Sequence, residues 1–116
     1  MTGESPVDSC SLLCREGRIT VKMLVVVYSD AVDEVVITAF KKADIGAYTK
    51  WKETLGEGTE TEPKLGTHCW PGKNNVLAVV VEDEKVPVIS EIVRNLKTEY
   101  PKGGIRTFVL QVEDIL

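Results

Sequence analysis

Leu24-Val25-Val26-Val27-Tyr28, followed from Asp30 to Ala43 by apolar residues at helical spacing, decides the fold, because the chain repeats it. Leu77-Ala78-Val79-Val80-Val81 is followed in the same way by Val86 to Leu96. Each half runs on into a second strand-like segment, Ala47 to Thr54 in the first and Ile105 to Val112 in the second. Strand, amphipathic helix and strand, given twice, specify an α+β fold. It is a ferredoxin-like βαββαβ sandwich, whose antiparallel sheet carries two helices on one face.

Working outward, Leu24 to Tyr28 is a continuous, largely β-branched run, the pattern of a strand covered on most sides. Asp30 is placed to cap the first helix, and Asp33 and Glu34 set negative charge at the positive end of its dipole. Val32, Val35, Val36, Ala39, Phe40 and Ala43 make one apolar stripe, with Lys41 and Lys42 near the far end. Gly46 turns the chain into Ala47 to Thr54, where Lys50 and Lys52 share one side of the alternation and predict a solvated face. Val76 to Val81 reads as the third strand. Pro87 suits the start of the second helix, where its missing N–H has no helical partner to lose. Ile89, Ile92, Val93 and Leu96 form the stripe that meets the sheet. Tyr100-Pro101 ends this helix, and Gly103-Gly104 turns the chain into the last strand.

A chain of 116 residues supports one core, burying roughly 60–70% of the surface its unfolded form exposes. Hydrophobic residues at 43% and charged residues at 28% exclude an intrinsically disordered chain. A net charge of -4 argues against a nucleic-acid surface, which needs clustered Lys and Arg. A small anion could still be met by one local basic loop. No run reaches the ~18–20 apolar residues of a membrane span. Ser11-Leu12-Leu13-Cys14 is too short for a signal-peptide core, and three cysteines fit a reducing compartment. The expectation is a cytoplasmic protein with no membrane insertion. Residues 1–22 read as a flexible polar extension, residues 23–116 as the folded domain, and Met23 as the natural start.

Chemistry concentrates where the two halves differ. Residues 56–75 are punctuated by Gly, Pro and Asn and hold the single His of the chain. A segment of that length without regular structure is usually functional. Gly56-Glu57-Gly58 opens it, either as a hinge or as a place of close backbone approach to a ligand. His68 and Cys69 are suitable ligands for Zn or Cu, yet supply two of the three or four a site needs. Glu60, Glu62 or another subunit would have to complete the set. Otherwise Trp70 packs the segment down and His68 is exposed. In the second half, Lys102-Gly103-Gly104-Ile105-Arg106 offers backbone N–H groups, a point charge and a guanidinium fork to a phosphate. The same residues also suit a tight turn with solvated basic side chains. With one His, no Gly-x-Ser-x-Gly and no His-Glu-x-x-His, the parts of a hydrolase are missing, and the chain reads as no enzyme.

From Leu24 to the C-terminus the chain resembles PII-type signalling proteins, the nitrogen regulatory PII superfamily. Val32-Asp33-Glu34-Val35 opens the first helix, Gly46 precedes the second strand, and Gly56-Glu57-Gly58 stands where that family has Gly-x-Gly entering its long T-loop. Val79-Val80-Val81-Glu82-Asp83 matches the third strand and its turn. Gly104-Ile105-Arg106-Thr107-Phe108-Val109 resembles the family's Gly-x-Gly-Lys-Ile-Phe-Val, and Val112-Glu113-Asp114-Ile115 its Val-Glu-Glu-Ala close. The resemblance implies a homotrimer that binds ATP, ADP, AMP or another small anion in clefts between subunits. It also implies signalling through the 56–75 segment to a partner, such as a transporter or an enzyme. Carried over, Gly56 and Gly58 line the T-loop entrance, and Gly103, Gly104 and Arg106 hold phosphate, Arg106 replacing the family's Lys; Lys102 joins them by its charge. Thr49, or its neighbour, approaches the base from the second strand. Residues 56–75 contain no Tyr, so the T-loop uridylylation of some members has no acceptor here, and the segment's own sequence points outside nitrogen control.

The CutA-type cation-tolerance family is the alternative resemblance, carried by Leu24-Val25-Val26-Val27-Tyr28-Ser29, by Tyr100-Pro101 and by Phe108 to Leu116. It implies the same trimeric architecture and a divalent metal, with His68 and Cys69 as ligands.

Overall fold

The computed structural model describes residues 20–57 and 72–116. The order is β1 (Val21–Ser29), a 3₁₀ turn (Asp30–Val32), α1 (Asp33–Lys42), β2 (Thr49–Thr54) and β3 (Asn74–Glu82). A second 3₁₀ turn (Asp83–Lys85), α2 (Val86–Glu99), a third turn (Pro101–Gly103) and β4 (Arg106–Gln111) complete it. The strands form one antiparallel sheet in the order β2-β3-β1-β4, the arrangement the doubled pattern predicts.

Alternation along the strands makes the two faces of the sheet different. Leu24, Val26 and Tyr28 of β1 and Leu77 and Val79 of β3 form the core with Val36 and Phe40 of α1 and Ile89, Val93 and Leu96 of α2. Both helices therefore cover one face. On the other, Met23, Val25 and Val27 stand in register with Val80, Ala78 and Val76 of β3 and with Leu110, Phe108 and Arg106 of β4. Trp51 joins that row from β2, opposite Val76. Among the described residues no helix covers this face, and Trp51, Val80, Phe108 and Leu110 are exposed on it.

Several element ends differ from the sequence expectation, each for a packing reason. β1 begins at Val21 rather than Leu24: Val21 is buried and pairs with Glu82, and Asp83 N–H donates to the Thr20 carbonyl at 3.0 Å. Residues 21 and 22 thus belong to the folded unit. Asp30 is not the cap of α1. Ser29 caps the preceding 3₁₀ turn, its Oγ accepting the Ala31 N–H at 3.3 Å. Asn74 and Asn75, read as the end of the long segment, are strand residues that pair with Ser29 and Tyr28. In β2 the alternation breaks: Trp51 faces Val76 but Thr54 faces Asn74, so Lys52 and Glu53 together oppose Asn75. That extra residue is a β-bulge, with Glu53 at φ 59. Among the described residues, no helix is long and apolar enough to cross a membrane.

Candidate functional site

Three connections of the chain meet at one end of the sheet. The C-terminal end of β1 turns there into α1, β2 and β3 flank the 56–75 segment, and the Pro101–Gly103 turn leads into β4. Gly103 is buried, and a Cβ on it would lie 3.3 Å from Val32 Cγ2 of the α1 turn, so that Val32 would have to give by a few tenths of an ångström. Gly104 takes φ 62, the left-handed conformation that glycine adopts without a Cβ clash. These two glycines bring the start of β4 against the start of α1, so Arg106 comes to stand opposite Val27.

Beneath this junction lies a polar cluster. Asp33, the first residue of α1, accepts a hydrogen bond from Tyr28 Oη at 2.6 Å and one from Asn75 Nδ2 at 3.0 Å, both on Oδ1. Lys50 Nζ of β2 donates to the two carboxylate oxygens at 3.1 and 3.0 Å. Burial pushes the Asp33 carboxyl up, but the donors from Tyr28, Lys50 and Asn75 outweigh it and hold the group below its ordinary value. Tyr28 moves the other way. Burial first, then its bond to the Asp33 carboxylate, hold its phenol protonated well above the usual range.

The stem of the 56–75 segment is tied across its own base. Thr54 Oγ donates to the Asn74 carbonyl at 2.8 Å, and Lys73 Nζ reaches Glu53 Oε1 at 2.7 Å. Glu53 N–H donates to Asn75 Oδ1 at 3.3 Å, and Asp30 N–H to the Lys73 carbonyl at 2.9 Å. A Cβ on Gly56 would come within 3.1 Å of the Asn74 side-chain amide.

Of the residues singled out from the sequence, Gly56, Lys102, Gly103, Gly104 and Arg106 gather at this end of the sheet. The Gly103 N–H is engaged by the Tyr100 carbonyl at 2.9 Å. Thr49 is elsewhere: it faces Ala78, further along β3 and on the uncovered face. Lys50 corrects the expected solvated side of β2, because it lies on the helix face with its side chain 21% exposed. Gly58, His68 and Cys69 lie outside the described residues. Among the described residues, no three His, Cys, Asp or Glu side chains gather as a metal site would require. Sequence reasoning missed the Tyr28, Asp33, Lys50 and Asn75 cluster. Its signal was the polar tip that ends the apolar β1 run, a few strand and turn residues before an acidic helix start.

The model of the family described as nitrogen regulatory protein P-II matches residues 21–116. The chain belongs to the P-II family. The match starts where β1 does and supersedes the CutA-type resemblance. No curated protein matches by sequence. Among solved structures, CPII, a nitrogen regulatory PII-like protein of Thiomonas intermedia K12, was obtained with ADP, AMP and bicarbonate. It superposes with a TM-score of 0.58 at 16% identity, over 83% of this chain and 96% of that one. CPII with ADP, AMP and acetate gives 0.64 at 14% identity, over 83% and 89%. A Thermus thermophilus protein described as a putative PII-like signaling protein gives 0.55 at 22% identity, over 82% and 89%. At these identities the superpositions establish the fold.

Proposed function

We propose that this P-II family member is a regulatory protein that binds an adenine nucleotide between subunits of a homotrimer and signals to a partner protein through its 56–75 segment. The observation that carries this reading is the position of Thr49 and Arg106. Thr49 is on β2 and Arg106 on β4, the two edge strands of the sheet. Three interstrand spacings of about 4.8 Å across the sheet and two residues of about 3.4 Å along it put them roughly 16 Å apart in one protomer. Packed edge to edge, Thr49 of one copy and Arg106 of another can lie closer than that, so the two meet one nucleotide most readily in a cleft between copies. The uncovered face supports the assembly this requires, since Trp51, Val80, Phe108 and Leu110 form an apolar surface that a second and third copy can bury. The fold neighbour CPII, solved with ADP, AMP and bicarbonate, supports an adenine nucleotide as ligand, with a small anion beside it. Lys102 and Arg106 supply the positive charge that phosphate requires.

Isothermal titration with ATP, ADP and AMP, with and without bicarbonate, tests the ligand. Arg106→Ala should weaken a nucleotide by roughly 1.5–3 kcal/mol, the worth of a charge-assisted hydrogen bond. Absence of heat with all three nucleotides would overturn the ligand. Light scattering on the wild type and on Phe108→Asp tests the assembly: a trimer that becomes monomeric is expected, and a monomeric wild type refutes it.

A further inference from the structure

Asn75 is in contact with both the Asp33 cluster and the backbone of the β2 bulge. Its Nδ2 donates to Asp33 Oδ1 at 3.0 Å, while its Oδ1 accepts the Glu53 N–H at 3.3 Å. Turning the amide over would aim oxygen at carboxylate and NH₂ at N–H, so the two contacts enforce one orientation. The side chain is buried, with Asn75 3% exposed, and water cannot readily replace either bond. Its second partner is a strained one. Glu53 holds φ 59, a conformation non-glycine residues adopt when neighbours impose it. The Lys73 ion pair also reaches Glu53, but that pair is exposed and screened by salt.

We propose that Asn75 is a positioning residue for the 56–75 segment: locked in one orientation by Asp33, it holds the Glu53 bulge that directs β2 into that segment. The bulge shifts the register by one residue, and that shift sets Thr54 against Asn74. Without it Thr54 would stand opposite Lys73, one residue before β3 begins. Asp33 therefore acts on the stem at second hand, through the amide. These contacts join Asp33 to residues 53–54 and 74–75 without any ligand group, so they hold whatever ligand the protein takes.

Amide hydrogen exchange resolved by NMR tests it in the full chain, with the Glu53 N–H as the reporter and the Val26 N–H as the core control. Asn75→Ala should speed Glu53 exchange roughly tenfold beyond any change at Val26. Asp33→Ala should do the same, and the Asp33→Ala, Asn75→Ala double variant should add nothing at Glu53 beyond Asn75→Ala. Unchanged Glu53 exchange, equal acceleration at Glu53 and Val26, or an additive double variant would each overturn the proposal. If the alanine variants do not fold, Asp33→Leu and Asn75→Leu carry the same comparison, keeping the volume and removing both acceptors.

Discussion

In each half of the molecule a strand passes through a 3₁₀ turn into a helix, Ser29 through Asp30–Val32 into α1 and Glu82 through Asp83–Lys85 into α2. The first helical residue is Asp33 in one half and Val86 in the other. Because β1 and β3 are antiparallel, the two turns lie at opposite ends of the sheet. Around Asp33 gather Tyr28, Lys50 and Asn75, and beside it stand the stem of the 56–75 segment and the Gly103-Gly104 turn. Val86 packs on the core, and its turn is tied to the neighbouring connection by Lys85 Nζ on the Ala43 carbonyl at 3.3 Å. One backbone, repeated, thus closes the core at one end and organises three connections at the other. The difference is a single carboxylate placed where three donors can reach it.

The largest test of that difference is a pair of truncations. Asp33→Ala leaves a buried phenol, a buried amide and a partly buried ammonium without their acceptor, and should cost about 2–4 kcal/mol in urea unfolding. Val86→Ala should cost about 1–2 kcal/mol, being half-buried and apolar. Equal costs would break the comparison.

A smaller effect separates the ends by pH. The Asp33 carboxyl is held below 3.8 in the folded chain, so its contribution is present above that pH and is lost as the pH falls through the folded value. Asp33→Asn should flatten this acid limb of the stability curve. Tyr28 is held above 10.0, so its contribution is complete below pH 10.0 and declines at higher pH, as the unfolded chain ionises first. Tyr28→Phe should flatten the alkaline limb, and Val86→Ala should alter neither slope. Denaturant midpoints across the pH range read out both.

The smallest effect has the opposite sign. Among the described residues, Thr107 Oγ1 in the second half is buried without a hydrogen-bond partner. Thr107→Val keeps the shape and removes the orphan hydroxyl, and should raise stability by about 0.5–1 kcal/mol in the same urea assay. A loss instead would mean that the hydroxyl has a partner, and that the second half satisfies its polar groups as fully as the first.

Much of this was legible along the chain. The doubled strand-helix-strand pattern, the helix stripes at Val36 and Phe40 and at Ile89, Val93 and Leu96, and the stop at Tyr100-Pro101 are all periodicities or backbone restrictions of local residues. Gly103 and Gly104 were likewise legible as a turn. The reasons that favour glycine there divide: the φ of Gly104 belongs to the turn itself, whereas the crowding at Gly103 comes from Val32, far away in sequence.

By itself, then, the sequence determined the fold class, the element order and the places where the two halves diverge, because hydrophobic period and turn chemistry act within a few residues. Only the tertiary structure decided that Lys50 turns inward to Asp33, that Asn75 joins the strand and reaches two partners, and that Glu53 bulges. Those outcomes depend on strand register and on which face meets the helices. Both are set by residues distant in the chain, since a shift of one residue moves every side chain to the opposite face of the sheet.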